Sequence, residues 1–287
     1  MRSVRLAMSD SGRVEVLPRF RSGEPMAYCL MFYDYDSSLQ ADWLSTVDHL
    51  FETFQQRPAL VIGSLGTKQA KGPYERARSK LEGFLDDKSS PERPDIRVDS
   101  EHEFEREQFM PCRMRVAWSR SLAGIDQGVI AVRADAAPSL NEMVEMIAGR
   151  LFKKLGVAYA HAFEFPATFG PDFYLSSVGS VPPGYSTTEN AGYQERLTRW
   201  RDNTWHGKKR PRQGYLREVY PINFLTEEQA GAVFGQDTLK GYMTRTGTLN
   251  RCSFNEAMYR WDVPDDVLDR AREDLERSGV VLSSIAS

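Results

Sequence analysis

The stretch CRMRVAWSRSLAGIDQGVIAVRAD, Cys112 to Asp135, decides the fold class. Its two arms, CRMRVAWSRS and DQGVIAVRAD, alternate and carry β-branched residues, and only a short turn around Gly124 separates them. That pattern predicts a hairpin or adjacent strands of a meander. Upstream, MAYCLMFYDYD (Met26 to Asp36) is almost wholly apolar or aromatic, which predicts a central strand. RVEVL (Arg13 to Leu17) and ALVIGSLG (Ala59 to Gly66) read as further strands.

Helices are marked by a different period. In SLQADWLSTVDHLFETFQQ, residues Leu39, Trp43, Leu44, Val47, Leu50, Phe51 and Phe54 make one wide apolar helical face. A second helix is predicted over GPYERARSKLEGFLDD, where Pro73 at the start costs no hydrogen bond. Ser139 and Glu142 form a capping box before Leu140, Met143, Val144, Ile147, Leu151 and Leu155, and Gly156 closes that helix. YAHAFEF (Tyr159 to Phe165) is the strand expected after it. Pro166 to Gly192 reads as irregular, followed by a basic helix and by two short pieces, helical or strand, over LNRCSFNEAMYRWDV. A final helix runs from Pro264 to Ser278. Strands outnumber helices and come in hairpin-linked groups, so the predicted class is α+β, with a largely antiparallel or mixed sheet and helices packed on it.

A chain of 287 residues is long enough for one continuous sheet. The polar stretch DDKSSPERP (Asp86 to Pro94) offers the one boundary. The organisation is therefore a single unit over 1–287 or two intimately packed halves, about 1–90 and 95–287. No run reaches the roughly 18 apolar residues of a membrane span. The opening MRSVRLAMSDSGRVEV is too polar for a secretory core, so a cytoplasmic location is expected. Cys29, Cys112 and Cys252 are odd in number and far apart, which predicts buried reduced thiols rather than a disulfide framework or a zinc site.

Motifs that carry chemistry are scarce. His49, His102, His161 and His206 are scattered, without metal-ligand spacing, and neither a metal nor a cofactor is expected. GSLGTK (Gly63 to Lys68) follows a strand but has two residues between its glycines and Gln69 after its lysine, which fails the phosphate-loop pattern. No G-x-S-x-G elbow is present. Two charge concentrations remain. RVDSEHEFEREQF places Asp99, Glu101, Glu103, Glu105 and Glu107 at alternate positions, on one face of an extended segment. It reads either as a solvated edge or as a surface for a cationic partner. ERLTRWRDNTWHGKKRPRQGYLRE interleaves Arg196, Arg199, Arg201, Lys208, Lys209, Arg210, Arg212 and Arg217 with Trp200, Trp205 and Tyr215. Arginine and tryptophan are enriched at protein interfaces, and basic-aromatic segments also bind nucleic acid. A net charge of −3 argues against bulk nucleic-acid attraction.

LREVYPINFLTEEQAGAVFG (Leu216 to Gly235) is the least anonymous piece and holds no obvious catalytic residue. Tyr215 to Tyr220 predicts a strand stopped by Pro221, and Thr226 with Gln229 predicts a capped helix through Val233 and Phe234. Ile222, Phe224 and Leu225 are expected to anchor the corner, with Asn223 satisfying backbone groups at the bend. Together with GTLNRCSFNEAMYRWDVP and YCLMFYDYD, this segment resembles the immunity proteins of bacterial polymorphic-toxin and type VI secretion systems, in particular immunity protein family 52. Members of that family are encoded beside restriction-endonuclease-like nuclease toxins.

The resemblance implies a non-enzymatic protein whose partner is its cognate effector toxin, blocked by steric and electrostatic contact. A nuclease that grips a phosphate backbone has a cationic cleft, toward which Asp99, Glu101, Glu103, Glu105 and Glu107 would steer. Trp200, Trp205, Lys208 and Arg210 form the second candidate surface. Two alternatives stand beside this reading. One is an enzyme using Asp34 and Asp36 at the end of the central strand, the other a nucleic-acid binder using 196–217.

Overall fold

The computed structural model describes residues 17–35, 43–87, 94–102, 109–120, 124–177, 180–204 and 209–283. The strand at Arg13 to Leu17 falls almost wholly outside them. In chain order the elements are β1 (Met26–Tyr33), α1 (Trp43–Thr53), β2 (Leu60–Leu65), β3 (Lys68–Pro73), α2 (Tyr74–Asp86), β4 (Asp95–Asp99), β5 (Met114–Arg120) and β6 (Asp126–Arg133). There follow α3 (Leu140–Leu155), β7 (Tyr159–Pro166), α4 (Pro171–Leu175), α5 (Ala191–Thr204), β8 (Ile222–Thr226), α6 (Glu227–Ala230), β9 (Val233–Phe234), β10 (Asp237–Thr238), α7 (Leu239–Thr246), β11 (Thr248–Cys252), β12 (Asn255–Asp262) and α8 (Asp265–Arg277).

Ten strands form one sheet in the order β11-β12-β8-β7-β1-β6-β5-β4-β2-β3, and every described pair in it is antiparallel. The mixed α+β class expected from the sequence is the one observed. β5 and β6 pair from Met114↔Val132 to Arg120↔Asp126, the hairpin on which that expectation rests. β1 lies between β6 and β7 and is covered on both faces. Leu30 and Phe32 enter the core with α1, α2 and α3, whereas Cys29, Met31 and Tyr33 enter the core with α4, α5, α7 and α8. A strand buried on both sides must be apolar throughout.

Local signals place most helices. Ser139 accepts from the Glu142 amide, and α3 ends at Gly156 in the left-handed conformation, φ 57°. Its Met143, Val144, Ile147, Leu151 and Leu155 are all buried. α8 and α2 also run as expected. GSLGTK is a β2–β3 hairpin turned at Gly66, φ 56°. β3 escapes the sequence reading because KQAKGP is a polar edge strand with only Ala70 buried, and lysines on an edge discourage further pairing.

The Tyr215–Tyr220 strand is a correction. That run makes only an isolated bridge, Leu216↔Val281, and the strand lies after the proline, over Ile222–Thr226. The Asn223 side chain accepts from the Tyr220 amide at 3.0 Å and donates to the Tyr220 carbonyl at 2.5 Å, so backbone groups that a ladder would use are closed locally. Thr226 caps α6 as expected, accepting from the Gln229 amide. That helix ends at Ala230, however, and Val233–Phe234 pairs with Asp237–Thr238 in a small hairpin.

Candidate functional site

The acidic stretch begins inside the protein. Asp99 ends β4 opposite Arg115 on β5, and both are buried. Arg115 Nε donates to Asp99 Oδ1 at 2.7 Å and Nη2 to Oδ2 at 3.0 Å, a bidentate pair. Arg115 Nη1 reaches Asp172 Oδ1 on α4 at 2.6 Å and the Phe109 carbonyl at 2.8 Å. His102 Nε2 lies 3.1 Å from Asp99 Oδ2, and Arg97 contacts Asp99 and Asp172 at 3.4 Å each. Burial pushes the Asp99 carboxyl up, yet Arg115, Arg97 and His102 outweigh it and hold the group below its ordinary range.

Asp99 is thus consumed by an internal network and is no contact residue, which corrects its place in the proposed surface. Extended alternation does direct it to the face of Arg97, but the cross-strand neighbour on that face is an arginine. Glu101 is exposed. Glu103, Glu105 and Glu107 lie outside the described residues. Arg115 binds the chain on both flanks of the acidic stretch, at Asp99 and at Phe109. A charged residue at an inward position of an otherwise apolar strand was the one signal for Arg115 in the sequence.

The basic segment dissolves in the same way. Trp200 is 2% exposed and packs in the core, so it offers no surface. Arg196 is buried on Glu218, with Nε 2.8 Å from Oε2, and its Nη2 also reaches Glu276 at 2.6 Å. Ser283 Oγ lies 2.8 Å from Glu218 Oε2. Arg217 donates from Nη1 to the Tyr33 hydroxyl at 2.8 Å and from Nη2 to the Tyr174 carbonyl at 2.5 Å. Its guanidinium stands 4.0 Å from the Tyr174 ring centre and 5.2 Å from that of Trp200.

The motif LREVYPIN is specific, then, because it threads two buried charges of opposite sign through the core to different partners. Tyr220 stacks on His161, 4.4 Å between ring centres, and bonds Tyr174 through the two hydroxyls. Arg210 remains partly exposed, 4.0 Å from Asp34. Trp205 and Lys208 lie outside the described residues. Asp34 is 6% exposed with φ 52°, its amide donating to the Asp126 carbonyl at 2.7 Å. Asp36, its partner in the alternative enzyme reading, lies outside the described residues.

All three cysteines are free and buried, as expected. Burial pushes the Cys112 thiol up to about 12 and that of Cys252 to about 11, so both stay protonated at neutral pH. Among the described residues no cluster of His, Cys, Asp or Glu has metal-holding geometry, and no helix is long and apolar enough to cross a membrane.

Beside the Arg115 network lies a depression of about 240 Å³, lined by Ile62, Ser64, Arg97, Ala117, Ser119 and Asp172 among others. It opens on the sheet face that carries α4, at the end where β2, β4 and β5 meet.

No family model and no curated protein matches the sequence. Among solved structures the fold is similar to that of the Pseudomonas aeruginosa T6SS protein PA0821, with a TM-score of 0.52 at 9% identity. The likeness covers 90% of this chain and 73% of that one. At such identity it is a likeness of fold.

Proposed function

We propose that this chain is an immunity protein of a type VI secretion system, which binds a cognate antibacterial toxin and neutralises it without catalysing a reaction. The observation that carries the reading is the fold shared with a T6SS protein over nine-tenths of the chain, in agreement with the family resemblance of LREVYPINFLTEEQ. The use of the buried charges supports it. Arg115 and Arg97 together offset Asp99 and Asp172, and Arg196 is held by both Glu218 and Glu276, an arrangement that shapes a fold rather than exchanges protons with a substrate.

The partner is a nuclease toxin with a cationic cleft, approached by the acidic stretch that follows Asp99 in the sequence. Exposed Glu101, together with Glu103, Glu105 and Glu107, supplies a field that speeds association and weakens with salt. Direct nucleic-acid binding by 196–217 is disfavoured by the burial of Arg196, Trp200 and Arg217.

The test is calorimetric titration with the product of the adjacent gene, catalytically disabled for expression. Stoichiometric nanomolar binding is expected. Reversal of Glu101, Glu103 and Glu105 to lysine should weaken it tenfold or more, on the order of 1.4 kcal/mol. Absence of any binding, or failure of the chain to protect cells that express the active toxin, would sink the reading.

A further inference from the structure

We infer that the open face of β2, β4 and β5 beside α4 takes a lysine or arginine side chain of the toxin, its methylene stem on Ile62 and its charged head on Asp95. The inference rests on the function proposed above, in which the nuclease partner has a cationic cleft.

The strand register builds the site in two rows. Ile62 pairs with Arg97 and Arg97 with Ala117. In the adjacent row Ser64 pairs with Asp95, and the same register brings Ser119 alongside. Both rows project on the side of α4, because Arg97 reaches Asp172 on that helix. The opposite side of β2 is sealed, since Val61 and Leu65 join the core beneath α2. On the α4 side the cover is incomplete and Ile62 is 45% exposed. The depression of about 240 Å³ lies there, with Asp95 and Asp172 as its carboxylates.

An exposed isoleucine alone would mean little. The charge count gives it an occupant. Three carboxylates, Asp95, Asp99 and Asp172, share this end of the sheet with two guanidinium groups, Arg97 and Arg115. Arg115 bonds Asp99 and Asp172 at 2.6 to 3.0 Å, and Arg97 stands 3.4 Å from each of the same two. His102, beyond Asp99, adds a charge only when protonated. Lys71 continues the Ile62 row on β3 but lies outside the depression. Asp95 is therefore left over: among the described residues it has no cation partner, and it accepts from the backbone N–H of Arg120. It remains accessible, yet the protein around it removes enough water to raise its carboxyl above the ordinary value. An acidic occupant would add to this excess, whereas a cation cancels it.

The rest of the lining suits a long basic side chain. Lysine and arginine lay their aliphatic stems on apolar surface while the charged head stays among polar groups. Ile62, Ala117 and Leu175 supply that surface, and Ser64 and Ser119 flank Asp95 with hydroxyl oxygens able to accept from an ammonium or guanidinium head.

The experiment compares the wild type with Asp95→Asn, Asp95→Lys, Lys71→Glu and, on the opposite side of the sheet, Met146→Lys. Each is titrated at low and at moderate salt with the catalytically disabled product of the adjacent gene, and thermal midpoints are measured in parallel. Asp95→Lys should weaken binding by about tenfold or more, because it sets like charges together. Asp95→Asn, which keeps the shape, should weaken it by a smaller factor, with the midpoint unchanged and a shallower dependence on salt. Lys71→Glu should bind at least as tightly as the wild type, and Met146→Lys equally well. Wild-type affinity in both Asp95 variants, or weakening by Lys71→Glu in their place, would overturn the docking face and leave the immunity reading standing. No binding by the wild type would remove that reading and the docking face with it. Should Asp95→Lys also lower the midpoint, Asp95→Asn decides: unchanged affinity and salt dependence in that variant would overturn the proposal.

Discussion

Arg115 shows how one buried side chain can determine the use of a whole segment. Its guanidinium is encased, and removing it would leave the buried Asp99 carboxylate without its bidentate partner, held only by Arg97 at 3.4 Å and His102 at 3.1 Å. Breaking a buried pair from one side costs about 3–5 kcal/mol. Arg115→Ala is therefore expected to lower the unfolding free energy by an amount in that range, read as a lower urea midpoint with the slope of the transition unchanged. His161 is the opposite case, a buried polar residue without a counter-charge. Its ring is fully buried among Tyr33, Tyr159, Phe163 and Tyr220, and neither nitrogen has a hydrogen-bond partner. Burial, and then the nearby Arg217 cation, push its pKa well below the ordinary 6.5. Below that pH the unfolded chain takes up a proton that the folded chain refuses. Stability must fall as pH falls from 6.5 toward the folded value, by about 1.4 kcal/mol per pH unit. Urea titrations at pH 7 and pH 5.5 should record this loss, and His161→Phe should flatten it. A similar slope in the variant would assign the loss to other groups.

At the scale of elements, the centre of the sheet depends on a glycine and the corner before β8 on an asparagine. Gly128 on β6 lies across from Phe32 on β1, and a Cβ at that position would collide with the Phe32 ring. Gly128→Ala should cost about 1–3 kcal/mol through overpacking between two central strands. The readout is the unfolding midpoint, and an unchanged value would mean that the ring swings aside at no cost. Asn223 stands in for a turn of backbone, bonded to both the amide and the carbonyl of Tyr220. Asn223→Ala leaves those groups unsatisfied in a dry corner, for a loss of about 1–3 kcal/mol. Asn223→Asp, which keeps the acceptor, should retain part of it.

For the whole molecule, the sheet order decides how the chain must fold. β1 is contributed by the first quarter of the sequence yet pairs with β6 and β7, and β2 pairs with β4 across the polar stretch at 88–93. The C-terminal segment closes on the same centre. Leu216 N–H donates to the Val280 carbonyl, Leu282 N–H to the Leu216 carbonyl, and Ser283 to the Arg217 carbonyl. Fragments 1–90 and 95–287 should consequently be unfolded when expressed apart, and the intact chain should lose fluorescence and circular dichroism in one coincident transition. Two separated transitions would show halves that fold independently.

The sequence by itself determined the elements whose signals are local. The β5–β6 hairpin, the Ser139 cap and left-handed stop of α3, the all-apolar β1 and the Thr226 cap each depend on residues a few positions apart, so period and turn chemistry suffice to read them. Only the tertiary structure decided which charges face water. Alternation put Asp99 on the same face as Arg97, and helical spacing put Arg196 and Trp200 in a basic run, but neither contains the position of Arg115, Glu218 or Tyr174, which come from other elements. Burial of a charge is a property of its distant partners: the desolvation cost is met only where a neighbour of opposite sign arrives from elsewhere in the chain.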